Sequence, residues 1–343
     1  MLLRFDRYQE RCLYEPGTGF YETTSGAGGA RGEFLTSPEV GPLFGAVMAR
    51  WIRSVWEEIG QPDQFDVIEV GAGRGALTAA ILRTSPSWEH AARMVCVERS
   101  VALATRATDL LSGRATVRSD LPSGPIRGVV IANELLDNLC VRVVERTEKG
   151  WSEVFVELED HSGTVSTERL VPFDEPDRLA PLVGPGRGWI TPVGARLPVL
   201  EAAGRWVTSV IDRLEGRLLC VDYGTATTSE LEGRPWLRTY AGHVRGTDPY
   251  LTPGSTDITI DVPFDQLPGH PTLQAQSEFL RRWGLEQLVD EGRQMWESRA
   301  GVGDLSAIEG RSRISEARAL TDPTGLGGFL VAEWDRTTAA GDR

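Results

Sequence analysis

Apolar positions recur along this chain with two distinct periods, and each period predicts its own kind of element. Between Val40 and Ile59 they fall three or four apart, at Val40, Leu43, Phe44, Val47, Met48, Trp51, Ile52, Val55, Trp56 and Ile59, which is one face of a helix. Thr36 or Ser37 can cap that helix, Pro38 suits its first turn, and Glu39 completes a capping box with Thr36. Gly60 and Pro62 end it. Elsewhere the apolar residues come as short, nearly unbroken runs, the mark of strands covered on both faces. These lie at residues 65–70, 94–98, 115–120, 128–133, 217–222, 273–277 and 328–334. An amphipathic helix with Leu200, Trp206, Val207, Val210, Ile211 and Leu214 on one face precedes the fifth run. Strands alternating with helices predict an α/β fold with a doubly wound, mostly parallel sheet.

Two stretches interrupt this alternation. Residues 141–198 contain two segments of period two joined around Lys149-Gly150, a half-exposed hairpin. Residues 225–270 are rich in Gly, Pro, Thr and Asp and predict an ordered loop region. Both follow the carboxyl ends of strands, where open α/β sheets bind their ligands, so they are the natural places for substrate recognition. The expected organisation is an N-terminal segment and helix over the site (1–60), a ligand-binding half of the core (61–140) and an inserted lobe (141–198). The second half of the core (199–343) follows, carrying the loop insertion.

Composition narrows the partners. A net charge of −13 over 343 residues argues against nucleic acid and against an anionic membrane surface. Arginine is abundant, while Lys149 is the only lysine. No run of about 20 apolar residues predicts a membrane span, and the first ten residues lack a signal-peptide core. Cys12, Cys96, Cys140 and Cys220 are far apart, which predicts buried thiols rather than disulfides or a metal site, and a cytoplasmic setting.

The candidate chemistry starts at Glu69-Val-Gly71-Ala-Gly73-Arg-Gly75, a glycine-spaced loop between the first strand and a helix. Its Gly-x-Gly-x-x-Ala spacing also fits a dinucleotide fingerprint, so the loop alone leaves the cofactor open. Three acids narrow the choice. Glu98 ends the second strand, where it can accept both ribose hydroxyls of an adenosine. Asp120 ends the third, within reach of an adenine amino group. Glu69 precedes the glycines, where it can steady the loop or meet an ammonium through water. An acidic surround opposes a pyrophosphate and favours the sulfonium and ammonium of S-adenosyl-L-methionine. Beyond the fourth strand, Glu134 and Asp137 stand three residues apart. If that segment turns helically they share a face and can grip a guanidinium.

Several separated motifs together resemble the MidA-like (NDUFAF-seven-type) S-adenosylmethionine-dependent methyltransferases, whose mitochondrial members are complex I assembly factors that methylate a protein arginine. They are Leu13-Tyr-Glu-Pro-Gly-Thr-Gly-Phe-Tyr21, Gly32-Glu-Phe-Leu-Thr-Ser-Pro-Glu-Val40 with Phe44-Gly45, and the loop 69–75. Further matches are Ala132-Asn-Glu-Leu-Leu-Asp137, Cys220-Val-Asp-Tyr-Gly224 and the run from His243 through Asp248-Pro-Tyr-Leu-Thr-Pro-Gly-Ser-Thr-Asp257 to Asp261. Departures from the family pattern stand at Glu33, Ala72 and Cys140. The resemblance implies a class I (Rossmann-like) methyltransferase core. It also implies cofactor contacts at Glu69, Gly71, Gly73, Gly75, Glu98, Asp120 and Asn133, and places Thr36, Ser37 and Glu39 beside the cofactor. Glu134 and Asp137 become the expected catalytic carboxylates, with Asp222, Tyr223 and His243 at the mouth of the site. The expected partner is a protein presenting arginine. The alternatives are a small-molecule acceptor or a non-catalytic assembly role.

Overall fold

The computed structural model describes residues 1–23, 36–159, 165–183, 191–241, 244–299 and 304–337. The chain forms two compact units. The core unit comprises residues 34–134, 210–223 and 271–343. Its sheet is built from β1 (Phe65–Val70), β2 (Ala92–Val97), β3 (Thr116–Arg118), β4 (Ile126–Asn133), β5 (Leu214–Asp222), β6 (Thr272–Ala275) and β7 (Leu330–Asp335). The order among the described residues is β6-β7-β5-β4-β1-β2-β3. β1 to β5 run parallel, and only β7 is antiparallel to its neighbours β5 and β6. The seven apolar runs thus become the seven strands of the expected sheet.

Every residue of β1 is buried, which is why its sequence reads as a run rather than an alternation. The polar exceptions are satisfied. Asp66 accepts from Arg93 Nε at 2.6 Å and from the Arg127 N–H at 3.1 Å. The strand order reverses between β1 and β4, the switch point at which such sheets leave a crevice at their carboxyl edge. Register aligns that edge: Val70 lies opposite Val97 and Ala132, and Asn133 opposite Val221.

The helical stripe is split. Ser37–Val40 is one turn, and α1 (Pro42–Glu58) starts anew after Gly41. Gly41 has φ +158°, and a Cβ there would lie 2.3 Å from Cδ of Glu316. That buried carboxylate accepts the Leu43 N–H at 2.9 Å and so caps α1 from 273 residues away. Gly45 lets α1 close onto α2 (Ala76–Arg83), where a Cβ would stand 2.4 Å from that of Ala80. Trp51 and Trp88 fill the core, their indole N–H groups donating to Glu333 Oε1 at 3.0 Å and the Ala49 carbonyl at 3.2 Å.

The second unit comprises residues 1–33, 135–209 and 224–270, so both insertions belong with the N-terminal segment. The hairpin expected near 141–159 forms from Arg142–Thr147 and Gly150–Leu158, paired antiparallel. Leu2–Arg4, Val165–Pro172 and Arg196–Val199 extend its sheet. Arg142 is buried there in a bidentate pair with Glu153, with its guanidinium 5.0 Å from the Phe173 ring. The stretch 225–270 is more regular than a loop: Leu237–Ala241 pairs with Val244–Gly246 and Asp257–Ile260. Strands of three to five residues in a Thr- and Gly-rich context leave no periodic signal to read.

Candidate active site

The site is assembled on the carboxyl edge of the core sheet. Gly71, Gly73 and Gly75 all take left-handed backbone, with φ of +69°, +54° and +81°. Alternate left-handed positions carry no steric cost only in glycine. The turn brings the N–H groups of Gly71 and Ala72 onto the Val97 carbonyl, at 2.9 and 3.2 Å. A Cβ built on Gly73 meets nothing within 4 Å, so the loop encloses open space rather than filling it.

Glu98, 9% exposed, fixes this loop. Its Oε2 accepts the Gly73 N–H at 2.8 Å and its Oε1 the Ser100 N–H at 2.8 Å. Ser100 caps α3 (Val101–Leu111) by accepting from the Leu103 N–H at 3.3 Å. Both oxygens of Glu98 thus hold backbone N–H groups at the carboxyl end of β2, the place from which a carboxylate reaches an adenosine's ribose. Glu98→Ala should therefore weaken any adenosyl ligand by at least about 30-fold, adding loss of loop order to loss of ribose contacts. Titration calorimetry reads this directly; an unchanged affinity would remove Glu98 from the site.

Glu69 lies beneath the loop, 6% exposed. Its Oε2 accepts both the N–H and the hydroxyl of Thr78, at 3.0 and 2.5 Å, tying β1 to the first turn of α2. Burial pushes its carboxyl up to about 7 against the opposing pull of the Thr78 bonds, and the charge of Glu98 adds to the rise. Its bonds to Thr78 point to the steadying role rather than to an ammonium contact. Cys96 lies 3.3 Å from the Thr78 hydroxyl, its thiol pushed up to about 12 by burial.

The turn at 36–41 supplies different groups from those expected. Ser37 is fully buried, and its hydroxyl donates to Gln276 Oε1 at 3.0 Å, so it faces the core, not a cofactor. Glu39 Oε2 accepts the Thr36 N–H at 3.3 Å, while Oε1 pairs with Arg74 of the glycine loop at 2.8 Å. Asp120 is exposed, two residues beyond β3, and accepts from the Ser119 hydroxyl at 2.6 Å.

At the end of β4 the backbone is strained. Glu134 takes φ +52°, a left-handed conformation that costs a non-glycine residue about 1–3 kcal/mol. Its N–H donates to the Val221 carbonyl at 2.8 Å, and its Oε1 accepts from Asn133 Nδ2 at 3.1 Å. That bond fixes the Asn133 amide, leaving its buried Oδ1 with no hydrogen-bond partner among the described residues. Beside it Asp222 is fully buried and accepts the Tyr223 N–H at 3.0 Å, and Tyr223 packs 5.5 Å from Phe329.

Asp137 does not join Glu134 on a helical face. The left-handed residue breaks the turn, the short 3-10 turn covers only Leu136–Asn138, and the chain passes into the second unit at Leu135. There Asp137 is 3% exposed and accepts from Asn138 Nδ2 at 3.1 Å. Nearby, Tyr21 donates to Asp257 Oδ2 at 2.9 Å and stacks on Tyr14 at 5.5 Å. Burial, and then the charge of Asp257, hold the Tyr21 phenol well above its usual range. His243 lies outside the described residues. Arg74 received no role from the sequence, although it is the one cation in the loop 69–76.

The groups present fit S-adenosyl-L-methionine. Open space over Gly73, an orphaned acceptor at Asn133 and the carboxylate of Glu98 match its ammonium and ribose donors. No helix among the described residues is long and apolar enough to cross a membrane.

Residues 47–279 match the family described as "putative S-adenosyl-L-methionine-dependent methyltransferase". A mouse protein named protein arginine methyltransferase NDUFAF7, mitochondrial, is 28% identical over 76% of this chain and 64% of its own length. Its human counterpart is 26% identical over 76% of this chain and 63% of its own. The chain thus spans less than two thirds of the length of these two relatives. A Burkholderia thailandensis crystal structure bound to S-adenosyl-homocysteine superposes with a TM-score of 0.81 at 26% identity, covering 100% of this chain and 92% of that one. The relatives from mouse, human and fruit fly are named as mitochondrial, which overturns the cytoplasmic expectation. Cys12, Cys96 and Cys220 are buried free thiols, whereas Cys140, expected to be buried, is half-buried, and free thiols do not single out the cytoplasm. The class I sheet, the glycine loop and the match over residues 47–279 agree: the chain belongs to the S-adenosyl-L-methionine-dependent methyltransferase family.

Proposed function

We propose that this chain transfers the methyl group of S-adenosyl-L-methionine to a nitrogen of an arginine side chain presented by a protein. The observation that carries the reading is Glu134, a carboxylate held in left-handed backbone at the carboxyl end of β4. Strain of that kind persists only where surrounding bonds over-determine it, and it concentrates at functional sites. The cofactor supplies an electrophilic methyl on a sulfonium. The chain supplies position and electrostatics, which carry most of the acceleration in a direct displacement. Glu134 can accept two N–H bonds of a guanidinium and hold its positive charge toward the carboxylate, turning the remaining nitrogen to the methyl. A guanidinium titrates above about 12, so its proton leaves as the new bond forms or after it. The names of the mouse and human relatives support arginine as the acceptor.

The test is transfer of labelled methyl to arginine-containing proteins, read by mass spectrometry, for wild type and Glu134→Gln. Wild type should produce methylarginine. The variant should lose about 100-fold or more in kcat while keeping cofactor affinity within about threefold. Label appearing only in small molecules would replace the acceptor. No transfer by cofactor-loaded protein would favour an assembly role.

A further inference from the structure

We infer that Arg74, oriented by Glu39, is the receptor for the α-carboxylate of the methyl donor. This rests on the methyltransferase reading above and adds the group that fixes the amino-acid end of the cofactor. The argument begins with charge. The donor carries a sulfonium, an ammonium and a carboxylate. The acids beside the loop, Glu98 and Glu134, answer the two cations and repel the anion, while Glu69 is committed to Thr78. Within residues 36–41 and 69–76 the only cation is Arg74. It lies between Gly73, whose missing Cβ faces open space, and Gly75, which starts α2.

Geometry strengthens the case. Glu39 takes one side of the guanidinium, Nη2 to Oε1 at 2.8 Å, and is itself held by the Thr36 N–H on its other oxygen. Glu39 is largely buried, whereas Arg74 keeps 37% of its side chain exposed. Guanidinium presents five donors in a rigid fork, and Glu39 is its only partner among the described residues. The remaining donors are therefore pre-aimed and solvated, the state in which a second carboxylate is received at low ordering cost. The turn 36–41 accordingly acts on the cofactor through Arg74, and Ser37 takes no part because its hydroxyl is committed to Gln276.

The test compares two ligands by titration calorimetry: S-adenosyl-homocysteine, which has the carboxylate, and decarboxylated S-adenosylmethionine, which lacks it but keeps the ammonium. Arg74→Ala should weaken the first by about 10- to 100-fold and leave the second within about twofold. Arg74→Lys, which keeps the charge without the fork, should restore part of the discrimination. Retained binding of the decarboxylated ligand also shows that the variant is folded. Equal weakening of both ligands, an unchanged affinity for the first, or a lysine variant no better than alanine would each overturn the carboxylate role while leaving the methyltransferase reading intact. Failure of wild type to bind either ligand would overturn both.

Discussion

Gly73→Val should lose S-adenosyl-L-methionine and S-adenosyl-homocysteine by at least about 100-fold, roughly 3 kcal/mol, while the protein stays folded. Gly73 has φ +54°, and its N–H is held by Glu98 at 2.8 Å. A β-branched side chain there adds about 1–2 kcal/mol of backbone strain and projects into the space the loop encloses. Because that Cβ meets no protein atom within 4 Å, packing is not disturbed, and the melting temperature should fall by only a few degrees. Calorimetric titration alongside a thermal melt separates the two effects. Ligand affinity kept by a folded variant would mean that the cofactor does not lie over this loop.

The second large effect is on stability against pH. Burial holds the Glu69 carboxyl at about 7 against its ordinary 4.5. Between those values the folded protein keeps a proton that the unfolded chain has released. This contribution to stability is fully present below about 4.5 and is lost as the pH rises through about 7. Its span is on the order of 3 kcal/mol, at about 1.4 kcal/mol per unit. Glu69→Gln keeps an acceptor for Thr78 and never ionises. It should flatten the denaturant-unfolding free energy across that window and exceed wild type above pH 7. The opposite slope, or the same slope in both proteins, would mean that Glu69 is ionised in the folded state throughout.

How much of this was legible in the sequence depended on whether the cause was local. β1, β2, β4 and β5 are mostly buried, so their runs of Val, Ile and Leu announced the core directly, and the mostly parallel sheet follows from them. The glycine loop was equally plain, because only glycine tolerates three left-handed positions so close together. The break at Gly41 was hidden, since its cause is Glu316, far along the chain. The same holds for Glu69 and Ser37. Their residue types suit a ligand, and only the packing of Thr78 and Gln276 against them shows where their hydrogen bonds go. Glu134 was legible as a carboxylate just past the fourth strand, but its left-handed backbone was not, because nothing in its neighbours' identity demands it. That strain also explains why its expected pairing with Asp137 on one helical face does not form.

The strand order has a consequence for how the chain comes to be folded. β5 and β6 are not neighbours; β7, which follows both in sequence, is laid between them, and among the described residues it is the only strand in the sheet that runs the other way. The edge of β5 therefore stays open, with unpaired backbone groups, until β7, far later in the chain, has been made and docked. The second unit waits as well, since Leu2–Arg4 must find Gly150–Leu158. Pairings that span so much sequence close late, so the partly folded chain with this edge uncovered is the stage most exposed to aggregation and most dependent on protection from other chains.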